Sequence, residues 1–230
     1  MAIILHDLVG SDPARPFSPH CWKVTMALAH KGLPFEREAV CFTKVPEVEG
    51  GVSRTVPVIR DGSQIVSDSF MIAAYLEEAY PDKPSLFGGD GDQAMARFIE
   101  SWTNSVLHGV MRDIAIKDIH DALAPVDQAY FRSSREARMG KTLEQIVEGQ
   151  EAALEALPGT LTPVRLTLKS QPWLGGSSPL FADYIVFGAL QWVRVTSSAK
   201  LLKADDPVRD WFERCLDLYD GLGRSVPQAA

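Results

Sequence analysis

Thr55-Val-Pro-Val-Ile-Arg-Asp-Gly-Ser-Gln-Ile-Val-Ser-Asp-Ser69 is the stretch that decides how this chain folds. Val56, Val58 and Ile59 are strand formers. Pro57 stands among them, although proline cannot donate to a sheet ladder and is kept out of central strands. Such a proline begins a strand or holds a cis bond. A cis bond here turns the Val56 backbone outward with its N–H and C=O unpaired, which makes it a receptor for another peptide-like backbone. Asp61-Gly62 supplies a tight turn, and Gln64 to Val66 returns as a second strand. Ser67-Asp68-Ser69 then opens a helix whose free N–H groups attract anions. A peptide dock and an anion pocket therefore lie within fifteen residues, and a small anionic peptide suits both.

The flanking sequence supplies the rest of a small α/β unit. Residues 2–8 form a short apolar run with strand character. Ser18-Pro19 opens a helix, with serine at the N-cap and proline at the first helical position. Trp22, Val24, Met26, Ala27 and Leu28 give that helix its apolar side, and Gly32 closes it. Residues 35–40 read as a second strand, so the start is a βαβ unit with parallel strands and a right-handed crossover. Residues 43–53 are irregular, and residues 68–80 form an amphipathic helix.

Pro81-Asp-Lys-Pro84 ends that helix. The expected organisation is one domain over residues 1–82, a linker over 83–92 and a second domain over 93–230. The second domain has helical periodicity throughout. Its expected helices are 93–121 (interrupted or kinked near Gly109), 125–140, 141–157, the shorter 163–169, the very apolar 183–195 and 207–220.

Composition narrows the function. The chain has 230 residues, 46% of them hydrophobic, enough for a substantial core. Its formal charge of −7 makes nucleic acid and anionic membranes poor partners. The most basic window holds Lys117, Arg132, Arg135, Arg138 and Lys141, interleaved with acids, and reads as a solvated helix face. Cys21, Cys41 and Cys215 make neither a disulfide framework nor a paired metal motif, and the five histidines have no ligand spacing with them, so no metal is expected. No signal peptide is apparent, and no apolar run approaches the ~20 residues that span a bilayer. A reduced, cytoplasmic setting is the expectation.

The order βαβ then ββα, with a proline entering the third strand, is the thioredoxin-like arrangement. With a helical second domain, the chain resembles the glutathione transferase superfamily along almost its whole length. Ser18-Pro19, Val56-Pro57, Asp68-Ser69, Trp173-Leu-Gly-Gly176 and Phe181-Ala-Asp183, in that order and spacing, carry the resemblance. It implies an N-terminal glutathione-binding domain, a C-terminal helical domain that adds a hydrophobic substrate site, and a homodimer.

Residue by residue, the resemblance assigns roles. Ser18 fits the serine-type enzymes, in which the hydroxyl donates a hydrogen bond to the sulfur of glutathione and so favours thiolate over thiol. Ser11, on the loop before it, is the rival; no tyrosine precedes Tyr75 to take the part. Val56, beside Pro57, is expected to pair its backbone with the cysteinyl part of glutathione. Ser69 would take the γ-glutamyl carboxylate and Asp68 its amine. Lys44 and Arg54 are candidates for the glycine carboxylate. Phe17, His20, His108 and Arg112 are candidates for the second-substrate site. Asp183, at the third position of its helix, is structural: it is expected to bond the backbone at Leu180, where the family's serine or threonine cap is missing.

Within the superfamily, the first-helix text Ser18-Pro-His-Cys-Trp-Lys-Val24 is similar to the fungal-type enzymes. The second half is similar to bacterial β-aryl etherases, through Ser134-Arg-Glu136, Asp205-Asp-Pro207, Arg209-Asp-Trp211 and Asp217 to Arg224. This resemblance implies thiolate attack on an electrophilic aromatic substrate and, in the etherases, cleavage of β-aryl ethers. Two other readings compete: a glutathione- or aromatic-binding protein without turnover, and a thiol oxidoreductase using Cys21. The second is disfavoured, because the nucleophilic position of a Cys-x-x-Cys motif is Ser18 here.

Overall fold

The computed structural model describes residues 2–230. Strand β1 (Ile3–Leu8), helix α1 (Pro19–His30) and β2 (Phe35–Val40) form the expected crossover, β1 and β2 pairing in parallel from Ile3↔Phe35 to Leu8↔Val40. Strand β3 (Val58–Asp61) runs antiparallel to β1, and β4 (Gln64–Ser67) antiparallel to β3. The sheet order is β2-β1-β3-β4. Strand β3 starts one residue after Pro57, so the proline stands outside the ladder, and the Val56–Pro57 bond is cis. Gly62 makes the hairpin turn at φ +60, a backbone region open to glycine. Helix α2 (Ser69–Ala79) completes a thioredoxin-like domain.

The helical half departs from expectation at three places. Helix α3 (Asp90–Trp102) starts three residues before position 93, because Asp90 and Asp92 complement the helix N-terminus. The interruption of the long helix lies not at Gly109 but at Thr103–Leu107, which is π-wound. There the Ser105 hydroxyl donates to the Ser101 carbonyl at 2.7 Å, competing with the backbone ladder. Gly109 sits inside α4 (His108–Asp121). Helix α5 (Pro125–Met139) is as expected, but the stretch 141–157 is two helices, α6 (Leu143–Val147) and α7 (Gln150–Thr160). Thr142 and Gln145 form a capping box that starts α6, and the chain breaks at Gly149.

Helix α8 (Thr162–Thr167) precedes α9 (Phe181–Thr196), the most buried helix of the chain, and α10 (Pro207–Gly221) follows, leaving helical backbone at Leu218. Helix α9 packs on α1 at contact distance. At Gly188 an added Cβ would stand 2.3 Å from the Pro19 carbonyl oxygen. A side chain at 188 would thus push the start of α1 off the second domain. Among the described residues no helix is long and apolar enough to cross a membrane.

One buried carboxylate under this fold titrates abnormally. Asp7 on β1 is 2% exposed, its nearest cation Arg37 Nε is 3.7 Å away, and Oδ1 has no partner among the described residues. Burial, only partly offset by Arg37 and by hydrogen bonds from Cys21 and the Leu8 backbone, raises its pKa from 3.8 to about 6. A carboxyl whose folded pKa is raised contributes its stability below the unfolded pKa and loses it as pH rises through the folded one. That rise corresponds to about 3 kcal/mol, at ~1.4 kcal/mol per tenfold change. Wild type should therefore lose about that much stability between roughly pH 4 and pH 7 that Asp7→Asn does not lose. Urea denaturation of both proteins across that range measures the difference, and parallel curves would refute it.

Candidate functional site

A cavity of about 520 Å³ opens between the α1 end of the sheet domain and helices α4, α5 and α9. Phe17, Ser18, Pro19 and His20 line it at the start of α1, and Arg54, Thr55 and Val56 at the approach to β3. His108 and Arg112 of α4 form one wall, with Asn104 and Ser105 of the π-wound turn beside them. Tyr130, Phe131, Arg135 and Arg138 of α5 form the opposite wall, and Trp192 of α9 closes the back.

Ser18 is 4% exposed and caps α1, its Oγ accepting from the Cys21 N–H at 3.2 Å. Its hydroxyl proton has the buried Cys21 thiol beside it, a weak acceptor, so an anionic sulfur in the cavity can take that proton instead. Ser11 is the contrast. It is exposed, does not line the cavity, and donates its hydroxyl to the Ala122 carbonyl at 3.0 Å. The backbone of Val56 has no hydrogen-bond partner among the described residues.

Of the other residues singled out in the sequence, the cavity gathers Phe17, His20, His108, Arg112 and Arg54. Pro57, Asp68 and Ser69 are not among its lining residues. Asp68, at φ +73, caps α2 by accepting from the N–H groups of Phe70 and Met71, both at 3.0 Å, and Ser69 is buried. Lys44 faces a different depression and pairs with Glu47 at 2.9 Å. Asp183 lies wholly inside the helical core.

The two histidines form an edge-to-face pair with centroids 5.2 Å apart, and His108 meets Trp192 in the same way at 5.8 Å. Burial pushes the pKa of His20 well down, with Lys23 and then His108 adding to it. Lys23 Nζ lies 3.1 Å from His20 Nδ1 and donates to Glu100 at 3.0 Å. Burial, then Lys23, brings His108 down to about 3. Both rings are therefore neutral at neutral pH, and His108 Nε2 has no partner among the described residues. The cavity thus offers neutral imidazole at this wall.

Cys21, three residues into the helix from Ser18, is fully buried. Burial and, second, the nearby Asp7 push its thiol well above the ordinary range. Disulfide exchange needs an accessible thiolate, and this cysteine supplies neither part. Among the described residues no group of three or more His, Cys, Asp or Glu is placed to hold a metal.

The basic window of α5 corrects the reading of it as a solvated face. Arg132 does pair outward with Glu136 and Glu144 at 2.9 Å, and Lys117 pairs with Asp121. Arg135 and Arg138 instead line the cavity. The Arg135 guanidinium lies 4.6 Å from the Phe131 ring centroid and 5.2 Å from that of Phe42. The signal was present: 131, 135 and 138 follow the i, i+4, i+7 spacing of one helix face. Trp192 carried no such signal, since most of α9 is apolar on every side.

Two family models match this chain: glutathione S-transferase, N-terminal domain, over residues 17–79, and glutathione S-transferase, C-terminal domain, over residues 94–218. A glutathione S-transferase-like protein of Aspergillus flavus is 25% identical, covering 78% of this chain and 75% of its own. The crystal structure of a glutathione transferase from Phanerochaete chrysosporium superposes with a TM-score of 0.78 at 27% identity, over 100% of this chain and 99% of the other. A glutathione S-transferase of Ceriporiopsis subvermispora, solved in complex with glutathione, gives a TM-score of 0.83 over the whole of both chains at 24% identity, which speaks for the fold alone.

Proposed function

Because this chain belongs to the glutathione S-transferase family, we propose that it is a glutathione-dependent transferase whose cleft activates the glutathione thiolate for attack on an electrophilic aromatic substrate. The observation that carries the reading is the Ser18 hydroxyl: buried beside the cavity, capping α1 through its lone pair, with only the weakly accepting Cys21 thiol near its proton. A donor aimed at sulfur stabilises the thiolate over the thiol, which starts from a pKa near ~8.5, and the α1 N-terminus adds partial positive charge in the same direction.

In this reading the unpartnered backbone of Val56, after which cis Pro57 follows, pairs with the cysteinyl unit of glutathione. Ser69 at the mouth of α2 takes the γ-glutamyl carboxylate and Asp68 the amine. Arg54, exposed on the cavity rim, serves the glycine carboxylate better than Lys44, which is engaged by Glu47. The aromatic wall of Phe17, Phe42, Tyr130 and Phe131 supports an aromatic second substrate, with His20, His108 and Arg112 facing it. Cleavage of a β-aryl ether is the same thiolate attack with a phenolate leaving group, and the resemblance of the second half to etherases is what supports it. A cytoplasmic homodimer belongs to the proposal; Met71 on α2 and Met95 and Phe98 on α3 are exposed apolar side chains that a second subunit would cover.

The test is calorimetric titration with glutathione, followed by a product screen with chloronitrobenzene and a β-aryl ether model compound. Glutathione conjugate from either compound is the expected result. Glutathione binding with no product from any electrophile would make the protein a binding module, and absence of glutathione binding would sink both readings.

A further inference from the structure

The acid-poor lining of the cleft sets it apart from the rest of the molecule. The chain carries 30 Asp and Glu against 23 Lys and Arg, yet among the described residues no carboxylate lines this cavity while Arg54, Arg112, Arg135 and Arg138 do. Two of these are accounted for. Arg112 is answered by Asp113 at 2.7 Å, and Arg54 stands beside Val56, on the side assigned above to glutathione. Arg135 and Arg138 have no acidic partner among the described residues.

Arg135 is the informative one. It is partly buried, it stacks on Phe131 and Phe42, and its one side-chain hydrogen bond among the described residues runs from Nη1 to Ser134 Oγ at 2.9 Å. A guanidinium has five N–H donors in a fixed fork, and at this half-buried position most of them are left to the cleft and not to protein acceptors among the described residues. The charged and titratable groups that act on it are Arg138, which is unfavourable, and Tyr130. Three residues earlier on the same helix, Arg132 has two carboxylates to itself. A chain with an excess of acids thus satisfies the outward arginine and leaves the cavity-facing one open. The aromatic rings that hold Arg135 also fix the direction of its fork, which is preorganisation for a planar anion.

We propose that the second substrate of this cleft is an aromatic acid, its ring lying along the Phe42–Tyr130–Phe131 wall and its carboxylate, or an anion of similar shape, held by Arg135 with Arg138 beside it. This rests on the reading of the cleft as a transferase site and adds the charge of the substrate to it. A charge-assisted fork of this kind corresponds to roughly a tenfold or greater preference for the anion.

The experiment titrates the protein, saturated with glutathione, with naphthoate and with its neutral isostere naphthamide, by calorimetry. Wild type should bind naphthoate roughly tenfold more tightly or better, and rising salt should erode the advantage only slightly. Arg135→Gln should lose the preference while keeping its affinity for glutathione; Arg132→Gln, outside the cavity, should keep both. Equal binding of the two probes by wild type overturns the proposal whether or not any variant folds. So does an anion preference that survives Arg135→Gln, or a loss of glutathione affinity in that variant, which would assign the arginine to glutathione instead. Failure of wild type to bind glutathione at all would sink the transferase reading, a result separate from these.

Discussion

Ser18→Ala should lower kcat/KM at neutral pH by roughly ten- to a hundredfold and leave the affinity for glutathione nearly unchanged. A hydrogen bond to a charged acceptor contributes about 1.5–3 kcal/mol, which is one to two units of thiolate pKa at ~1.4 kcal/mol per unit. The deficit should shrink as pH rises, because alkali forms the thiolate without help. The mutation also removes the N-cap of α1, whose Oγ accepts from Cys21 N–H, at about 1 kcal/mol of stability. Thermal melts separate that loss from the kinetic one. Ser11→Ala is the paired control, since its hydroxyl is already donated to Ala122. Ultraviolet titration of bound glutathione reports the thiolate directly. If its midpoint is the same in wild type and Ser18→Ala, the dipole of α1 holds the sulfur and the serine only caps.

What made this site legible in the sequence is local. Val56-Pro57, the Asp61-Gly62 turn and the Ser18-Pro19 helix start each announce themselves within a few residues, and β3 begins at Val58 as a proline at 57 requires. What was illegible depends on partners distant in sequence. Nothing near Arg135 indicates that Phe42, ninety-three residues upstream, supplies half of its seat. Arg132 and Arg135 look alike in the text of α5; they differ because Glu144 reaches one and the cavity faces the other. Lys44 has a similar history: its exposed neighbour Glu47 satisfies it away from the cleft. The π-wound turn has no residue type that signals it; the Ser105 hydroxyl that bonds the Ser101 carbonyl there is ordinary in a helix.

Asp183→Ala should destabilise the protein by about 4 kcal/mol or more, the largest single effect expected in this chain. The capping bond read from sequence is present, with Leu180 N–H donating to Oδ2 at 3.0 Å. It is one of four. The N–H groups of Leu174 and Gly175 donate at 2.7 and 2.9 Å, and the Trp211 indole donates at 2.8 Å, so one carboxylate joins the loop before α9, the start of α9 and helix α10. Asp183 is 0% exposed, and burial outweighs these donors enough to raise its pKa. Ionising it is thus harder than ionising a free carboxyl, but truncating it is worse, because the buried Trp211 indole N–H and three partly buried backbone N–H groups all lose their acceptor. A total stability of ~5–15 kcal/mol leaves little margin for that. The consequence reaches the cleft, since α9 carries Trp192 and the Gly188 seat for Pro19. Asp183→Asn should recover only part of the loss, its amide nitrogen facing donors where an oxygen stood, and Trp211→Phe should lose a single bond's worth. Urea denaturation of the three variants orders them. A loss of less than about 1 kcal/mol in Asp183→Ala, the scale of a simple cap, would mean that the loop and α10 are held by packing alone.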